Sequence, residues 1–376
     1  MIYLDYSATT PVNKEVLDSF NKACLDYIGN PNSFHSLGVK SNDLINSATK
    51  QIADLLNVKE SEIIYTSGAT ESNNLAIKGI ALKYQNRGKH IITTALEHSS
   101  IYGPISYLEN FGFECDFVNI DENGCVDIEH LKSLMRDDTV LVSINSVSSE
   151  IGIIQPIKKI IEVLKDYPKC FFHVDMTQSM GKINIPLDGI DLASFSGHKF
   201  FGMKGIGCLI RKEKVMLEPI IHGGKSTTIY RSGTPALPLI VSLSKALRLA
   251  YTDMDKHYEK VMNLNKKIRS SLSKYDLVRI NSNDLCSPYI LNFSILNIKP
   301  ETFVHALEKY EVYISTQSAC STTNTISKAV LALTNDEKRA ISSLRVSISY
   351  ITIEKEIDEF ISIFDKCYNS LEFIGK

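Results

Sequence analysis

Residues 171–211 are the part of the chain that decides its fold, and they read FFHVDMTQSM GKINIPLDGI DLASFSGHKF FGMKGIGCLI R. Three short apolar runs, at 171–174, 192–194 and 207–210, have the length and composition of buried β-strands. Polar residues follow the first two runs: Asp175 comes after the first, and Ser196, His198 and Lys199 come after the second. In an open sheet, the residues just beyond the strands are candidates for ligand binding.

The same pattern extends outward from this stretch, back to about residue 61. The predicted strands are 63–65, 90–94, 115–118, 140–144, 171–174, 192–194 and 207–210, and the predicted helices include 71–84, 128–135 and 156–164. Strands that alternate with helices predict an α/β fold with a mostly parallel, seven-stranded sheet.

The C-terminal part follows another pattern. From about residue 238, one long amphipathic helix is predicted to run to about residue 272 and to connect two domains. Beyond it, strands at 288–293 and 344–348 and helices at 301–307 and 354–364 predict a smaller α+β domain. We therefore expect a large domain at 11–250 and a small domain at 251–376, which also includes the N-terminal arm, residues 1–10.

The composition and net charge of the chain limit the partners and cofactors to be expected. The net charge is −2, and no block of Lys or Arg interrupts the chain, so neither nucleic acid nor a membrane surface is an expected partner. No apolar run approaches the roughly 20 residues that span a bilayer, and an acidic residue in the first five argues against a signal peptide. A cytoplasmic location is expected. The eight Cys and nine His residues show no metal-site spacing, so no metal is expected and the thiols should be reduced.

Two strand ends carry residues that could bind a ligand. After strand 63–65, small residues up to Thr70 open a helix and leave backbone N–H groups for a phosphate. An ordinary helix cap explains such a turn about as often. After strand 90–94 comes His98, which could stack on a planar ring or relay a proton. Taken alone, a histidine hydrogen-bonded to its neighbours is the simpler interpretation.

Two further strand ends complete the pattern. Asp175, if buried, needs a cationic partner, which a protonated pyridine nitrogen would supply, although an Asp that caps the next segment is an even alternative. Lys199 lies in a small-residue turn where it could form an imine with a cofactor aldehyde, whereas a lone lysine is usually just solvated. All four features occur at strand ends in one order, and together they predict a pyridoxal-phosphate (PLP) enzyme.

Ten motifs spread over nearly the whole chain carry a family resemblance. They are YLDYSATTP at 3–11, GNP at 29–31, SGATESNN at 67–74, EH at 97–98, EIG at 150–152, HVD at 173–175, SGHK at 196–199, RSGT at 231–234, SAC at 318–320 and LRVS at 344–347. With these motifs the chain resembles the cysteine desulfurases of the class V (fold type I) PLP-dependent aminotransferase superfamily, in the branch of the nitrogenase and iron–sulfur-cluster enzymes.

The resemblance implies a role for each matching residue. Lys199 would be the Schiff-base lysine, Asp175 the partner of the pyridine nitrogen, Gln178 a hydrogen-bond partner of the phenolic oxygen, and His98 the catalytic histidine that stacks on the ring. The phosphate would be held by Thr70, Ser196 and His198, together with Thr234 from the other subunit of a homodimer. The substrate carboxylate would be held by Arg345 and Ser149.

The resemblance also implies a reaction. L-Cysteine would be the substrate, and its sulfur would pass to Cys320, the family's mobile-loop cysteine, as a persulfide while alanine is released. A sulfur-acceptor protein, either a scaffold or a sulfurtransferase, would then take the sulfur for iron–sulfur clusters or another sulfur pathway.

The chain also departs from the family at three places. Ser148 and Ser149 replace two asparagines, and because a serine is shorter and has no amide donor, a weaker grip on the substrate is expected. Residues 225–230, KSTTIY, replace a usual Gly-Gln-Glu-Arg-Gly-Leu, and Ser349-Tyr350 replaces a usual Gly-Arg. These departures leave two alternatives open: a related PLP lyase or aminotransferase with another amino-acid substrate, and a degenerate PLP-binding partner protein.

Overall fold

The structure is a computed structural model that describes residues 1–316 and 326–370. Within these ranges the β-strands are β1 (Ile2–Tyr3), β2 (Ile63–Thr66), β3 (His90–Thr94), β4 (Glu114–Val118), β5 (Thr139–Asn145), β6 (Phe171–Asp175), β7 (Leu192–Ser196), β8 (Gly207–Arg211), β9 (Val278–Ile280), β10 (Ile290–Ile295), β11 (Val312–Tyr313) and β12 (Ser343–Ser347).

The α-helices of the same ranges are α1 (Lys14–Asp26), α2 (Ser36–Leu56), α3 (Ala69–Tyr84), α4 (Ser99–Glu109), α5 (Ile128–Leu134), α6 (Ile157–Leu164), α7 (Leu237–Tyr251), α8 (Met254–Leu272), α9 (Pro300–Glu308), α10 (Lys328–Thr334), α11 (Glu337–Ile341) and α12 (Glu354–Ser370). None of these helices is both long enough and apolar enough to cross a membrane.

The large sheet has seven strands in the order β2-β8-β7-β6-β5-β3-β4. Strand β8 is antiparallel to both of its neighbours, and the other adjacent pairs are parallel. Helices α1, α2, α6 and α7 share one hydrophobic core with the sheet, and α3 and α4 share another. Because both faces are covered, the central strands β5, β6 and β7 are buried along their whole length and are mostly apolar. The predicted α/β fold is confirmed.

A second, smaller sheet lies in the C-terminal part, where β9, β10 and β12 pair antiparallel in the order β12-β10-β9. The N-terminal arm joins this part of the molecule: β1 pairs with β11, and Ile2 and Leu4 lie in the same core as residues of α8, α9 and α12. The domain boundary between residues 250 and 251 stays a prediction.

The prediction of a single helix over residues 238–272 is wrong. Helices α7 and α8 are separate, and between them Asp253 has φ 57° and ψ 24°, a left-handed conformation that cannot continue a right-handed helix. The sequence hides this break because both helices are amphipathic and no Gly or Pro lies between Tyr251 and Met254.

Candidate active site

A cavity of about 220 Å³ lies at the carboxyl ends of the parallel strands of the large sheet. Nine of the residues predicted from the sequence line it: Thr70, His98, Ser149, Asp175, Gln178, Ser196, His198, Lys199 and Arg345. Most of them meet because the carboxyl ends of parallel strands share one edge of a sheet, whereas Arg345 comes from β12 of the small sheet. Thr234 does not line this cavity, and Cys320 lies outside the described residues.

The amine of Lys199 is held at the cavity wall by the N-terminal arm. Its Nζ donates to the backbone carbonyls of Ser7, at 2.7 Å, and Ala8, at 2.8 Å. The arm is in turn fixed to the lysine's own turn, because the Thr10 N–H donates to the His198 carbonyl at 2.9 Å. The position of the amine therefore depends on a chain segment 191 to 192 residues away.

Asp175 is the last residue of β6, and its carboxylate is oriented by two donors. Oδ1 accepts from the Thr177 N–H at 2.9 Å, and Oδ2 accepts from Asn73 Nδ2 at 2.8 Å. The same Asn73 amide donates to Ser100 Oγ at 2.8 Å, which contacts His98 Nδ1 at 2.8 Å. One fully buried amide therefore links the aspartate to the histidine.

His98 is both the N-cap of α4 and part of the cavity wall. Its Nδ1 accepts from the Ser100 N–H at 3.2 Å, so the ring proton is on Nε2. Burial lowers the pKa of His98; the charge of Asp175 opposes this effect, and those of Lys199 and Arg345 add to it. The ring is therefore neutral at physiological pH. His98 both caps α4 and lines the cavity.

The first turn of α3 forms another part of the wall. The Ala69 N–H donates to Ser196 Oγ at 2.6 Å, which ties this turn to the end of β7. The turn also packs tightly against β8: a Cβ at Gly207 would lie 2.5 Å from the Cα of Gly68, so glycine is required there. A ligand anion would meet the helix N-terminus together with the hydroxyl of Ser196.

His198 stands beside this turn as a neutral imidazole. Burial, and then the nearby charges of Lys199, Lys204 and Lys182, lower its pKa to about 4. Its Nδ1 lies 3.1 Å from Thr9 Oγ1. A neutral histidine contributes a hydrogen bond to an anion rather than a charge.

The opposite wall of the cavity carries Arg345, in the middle of β12 and 2% exposed. Its Nη2 forms an ion pair with Asp5 Oδ1 at 2.9 Å, and its Nη1 donates to the backbone carbonyl of Ser149 at 3.0 Å. Its Nε is buried and has no partner within residues 1–316 and 326–370. Asp5 thus balances the charge of the guanidinium while one nitrogen keeps an unused donor.

Glu97 precedes His98 in the sequence, but it does not line the cavity. It instead holds Asn145, which does. Its Oε1 accepts from the N–H of Asn145 at 2.8 Å, from Asn145 Nδ2 at 3.0 Å and from Thr94 Oγ1 at 2.9 Å. Burial is the main cause that raises its pKa, to about 8, and the charge of Asp175 adds to it. Glu97 is therefore a protonated residue at neutral pH that positions Asn145.

The sequence did not indicate several residues that line the cavity or hold its lining residues in place. Asn145 could have been found, because it is the last residue of β5 and lies one position beyond the predicted strand end. Asn73 lies in the second turn of α3, where a strand-end rule does not look. Asp5, Ser7 and Ala8 reach the site only through the packing of the arm, for which sequence spacing carries no signal.

In the part of the chain that the structure describes, four buried polar atoms of cavity-lining residues have no hydrogen-bond partner: Ser7 Oγ, Asn145 Oδ1, Thr177 Oγ1 and Arg345 Nε. Buried polar groups are normally satisfied. A cavity with this many unused donors and acceptors, a lysine amine and a carboxylate fits a polar, partly anionic ligand.

Comparison with known proteins gives a consistent result. The family model "Aminotransferase class-V" matches residues 2–360. A "NifS/IcsS protein homolog" from Lactobacillus delbrueckii subsp. bulgaricus is 41% identical, over 100% of this chain and 99% of its own length. A "Cysteine desulfurase IscS" from Dictyoglomus turgidum is 36% identical, over 100% of this chain and 96% of its own.

Solved structures agree with these relatives. A "NifS-like protein" superposes with a TM-score of 0.93 at 33% identity, covering 98% of this chain and 100% of that one. A structure described as "SspA in complex with cysteine" has a TM-score of 0.83 at 32% identity, covering 94% of this chain and 100% of that one. The chain therefore belongs to the class-V aminotransferase family, in the branch of the NifS- and IscS-type proteins.

Proposed function

We propose that this protein is a PLP-dependent cysteine desulfurase that removes sulfur from L-cysteine and releases alanine. The observation that carries the proposal is the single cavity in which a lysine amine, a strand-end carboxylate and a buried arginine face one another. Relatives named as cysteine desulfurases share 36–41% of its residues over nearly the full chain, which supports the same activity here.

The residues around the cavity fit PLP. Lys199 would bind the aldehyde carbon, and Asp175, whose two oxygens are already oriented by Thr177 and Asn73, would hold the protonated pyridine nitrogen. The remaining contacts belong to the ring and the phosphate: His98 on the ring face, Gln178 at the phenolic oxygen, and Thr70, Ser196 and His198 at the phosphate. When bound, PLP supplies an electron sink for the negative charge that develops at the substrate α-carbon.

Arg345 is the proposed anchor of the substrate carboxylate. Its planar guanidinium suits bidentate binding of a carboxylate, and its Nε donor has no partner among the described residues. Ser149, which lines the cavity beside it, offers a hydroxyl in place of the usual amide. The orientation of the substrate therefore depends on one arginine that Asp5 holds in place.

Lys199 and His98 are the proposed proton carriers. The amine of Lys199, once released from the cofactor, is a base at the cavity wall, and its neighbours Ser7 and Ala8 hold it through their carbonyls. His98 is neutral, because its pKa is lowered mainly by burial, so that it can accept a proton without first losing one.

Cys320 is the proposed sulfur acceptor within the chain. Its thiolate would attack the substrate sulfur, so that a sulfur–sulfur bond forms as the substrate's carbon–sulfur bond breaks. The electron pair of the broken bond stays on carbon, which takes up a proton and leaves as alanine. The persulfide on Cys320 would then be passed to an acceptor protein in the cytoplasm.

We further propose that the protein is a homodimer. Several large apolar side chains of the N-terminal region are exposed, among them Leu25, Ile28, Phe34 and Leu37, and Phe34 is fully exposed. A patch of this kind marks a contact surface, and a second copy would also bring its Thr234 near the phosphate side. Light scattering of the PLP-loaded protein should give twice the chain mass, and the mass of one chain would exclude a dimer.

The function is tested by measuring sulfide and alanine from L-cysteine with a reductant, for the wild type and Cys320→Ser in parallel. The proposal predicts equal amounts of both products from the wild type and no sulfide from the variant. Undiminished turnover by Cys320→Ser would instead indicate a related PLP lyase that does not need the thiol.

A further inference from the structure

Lys182 is a buried amine that the proposed reaction leaves without a role. It is 9% exposed, and its Nζ donates to Gln178 Oε1 at 3.2 Å and lies 5.8 Å from the centre of the Tyr289 ring. Within residues 1–316 and 326–370, no carboxylate forms an ion pair with it. In the sequence, neither the spacing nor the motifs indicated a role for Lys182.

A lysine amine buried in this position carries a desolvation cost. Burial is the main cause that lowers the pKa of Lys182, to about 7, and the charges of Lys199 and Arg345 lower it further. A methionine of similar length would fill the same space without this cost. Lys182 carries a cost that an apolar residue would avoid. The contacts of its amine are therefore the best explanation for a lysine at this position.

The polar atom of Lys182 controls the Gln178 amide. In its protonated form Lys182 has only donors, and the Gln178 amide then turns its oxygen towards Lys182 and its nitrogen towards the cavity. The structure shows this orientation: Gln178 Nε2 donates to the Ser7 carbonyl at 3.0 Å, and that carbonyl also accepts from Lys199 Nζ at 2.7 Å. Lys182, Gln178, Ser7 and Lys199 thus form one chain of hydrogen bonds.

The two lysines are also close neighbours. Both line a second cavity of about 20 Å³, which has the size of one water molecule, and Tyr289 and Tyr350 form part of the same wall. Lys182 therefore lies beside the proposed cofactor lysine.

We propose that Lys182 is a positioning residue, which donates to Gln178 Oε1 and thereby keeps Gln178 Nε2 available as the donor to the phenolic oxygen of bound PLP. This inference rests on the proposed function, because it assigns a purpose to Gln178 that only a bound cofactor would use.

The test is a double-mutant cycle in the full-length protein, with Lys182→Met, Gln178→Ala and the combined variant. The readouts are the dissociation constant of PLP, the absorbance maximum of the bound cofactor and the Tm. The Lys182→Met variant should bind PLP about fivefold more weakly, the effect of one lost hydrogen bond of about 1 kcal/mol. Its absorbance band should shift, and its Tm should stay the same or rise.

In the Gln178→Ala background, the same Lys182→Met change should have no effect on PLP binding, because its target is gone. Lys182→Gln, which keeps an N–H donor, should recover part of the affinity and keeps the test usable if the methionine variant does not fold. Lys50→Met, at an exposed site, is the matched control and should equal the wild type.

Equal PLP affinity of the wild type and Lys182→Met would overturn the inference. So would an equal loss in both backgrounds, or a fall in Tm with an unchanged absorbance band, since each would mean that Lys182 acts through packing. Failure of the wild type itself to bind PLP would instead refute the proposed function, and the two failures are thus distinguishable.

Discussion

The two walls of the cavity are built differently. On the sheet wall, Asp175 and Ser196 end neighbouring strands, and the strand pairing itself sets their spacing, since Asp175 pairs with Ser194 and with Asn145. On the opposite wall, Arg345 is held by Asp5, 340 residues away, and by Ser149, 196 residues away. The strand ends of the sheet wall belong to one sheet, whereas the opposite wall is assembled from three distant segments.

This difference separates the two halves of the proposed chemistry. Residues on the sheet wall should govern cofactor binding, and residues on the opposite wall should govern substrate binding with little effect on the cofactor. Variants on each wall therefore test whether cofactor binding and substrate binding are separable.

The largest effect is expected for Lys199→Ala. Loss of the amine removes the covalent bond to the cofactor, so the purified protein should lose its yellow colour and release no sulfide. Absorbance spectra and a sulfide assay check both outcomes. Lys50→Ala, an exposed lysine, should behave like the wild type. A yellow Lys199→Ala protein would place the cofactor on another residue.

Arg345→Lys should produce the next largest effect. It keeps the charge but loses the bidentate geometry, so kcat/KM for L-cysteine should fall roughly 30-fold, or about 2 kcal/mol. The absorbance spectrum and the affinity for PLP should not change, because the substitution is on the opposite wall. If cofactor affinity fell as much as kcat/KM, the two walls would not be separable.

Ser149→Asn should have a smaller and opposite effect. Restoring an amide donor beside Arg345 should lower the KM for cysteine about fivefold, the value of one hydrogen bond of about 1 kcal/mol. Steady-state kinetics with cysteine and with alanine as a competitor would measure it. A KM that stays the same or rises would show that the serine is not a weakened contact.

Glu97→Gln should change activity least and affect stability instead. The folded-state pKa of Glu97 is raised from 4.5 to about 8. Its stabilising contribution is therefore complete below pH 4.5 and is lost as the pH rises through 8. The wild type should lose roughly 2–4 kcal/mol of unfolding free energy from this residue between pH 5 and 8, at about 1.4 kcal/mol per pKa unit.

Urea unfolding at the two pH values checks this prediction. The pH-dependent loss should be smaller in Glu97→Gln, because glutamine cannot ionise, and should be unchanged in Glu129→Gln, where the side chain is 80% exposed. Equal pH dependence in the wild type and Glu97→Gln would show that Glu97 is ionised in the folded protein.

The contrast between the walls also explains what the sequence could predict. The sheet wall was accessible, because buried parallel strands appear as apolar runs and place polar residues such as Asp175 and Lys199 at their ends. Asn145 was missed only because its strand is one residue longer than predicted. The break at Asp253 was missed because amphipathic periodicity continues across it.

On the opposite wall, the motifs marked Arg345 and Ser149, but nothing in the sequence indicated that Asp5 would pair with the arginine. Such contacts depend on how the arm packs against the C-terminal part of the chain, and a one-dimensional pattern does not contain that information. The same holds for Lys182. Its partner Gln178 is close in the sequence, but Tyr289, which packs near its amine, is far away in the sequence.

The most direct test of the account is to find which residue carries the cofactor. The PLP-loaded protein would be reduced with borohydride, which fixes the cofactor on its lysine, and then digested and analysed by peptide mass spectrometry. The account predicts one modified peptide, with the added mass on Lys199. Modification of Lys182 or of any other lysine, or no modification in a protein exposed to excess PLP, would contradict it.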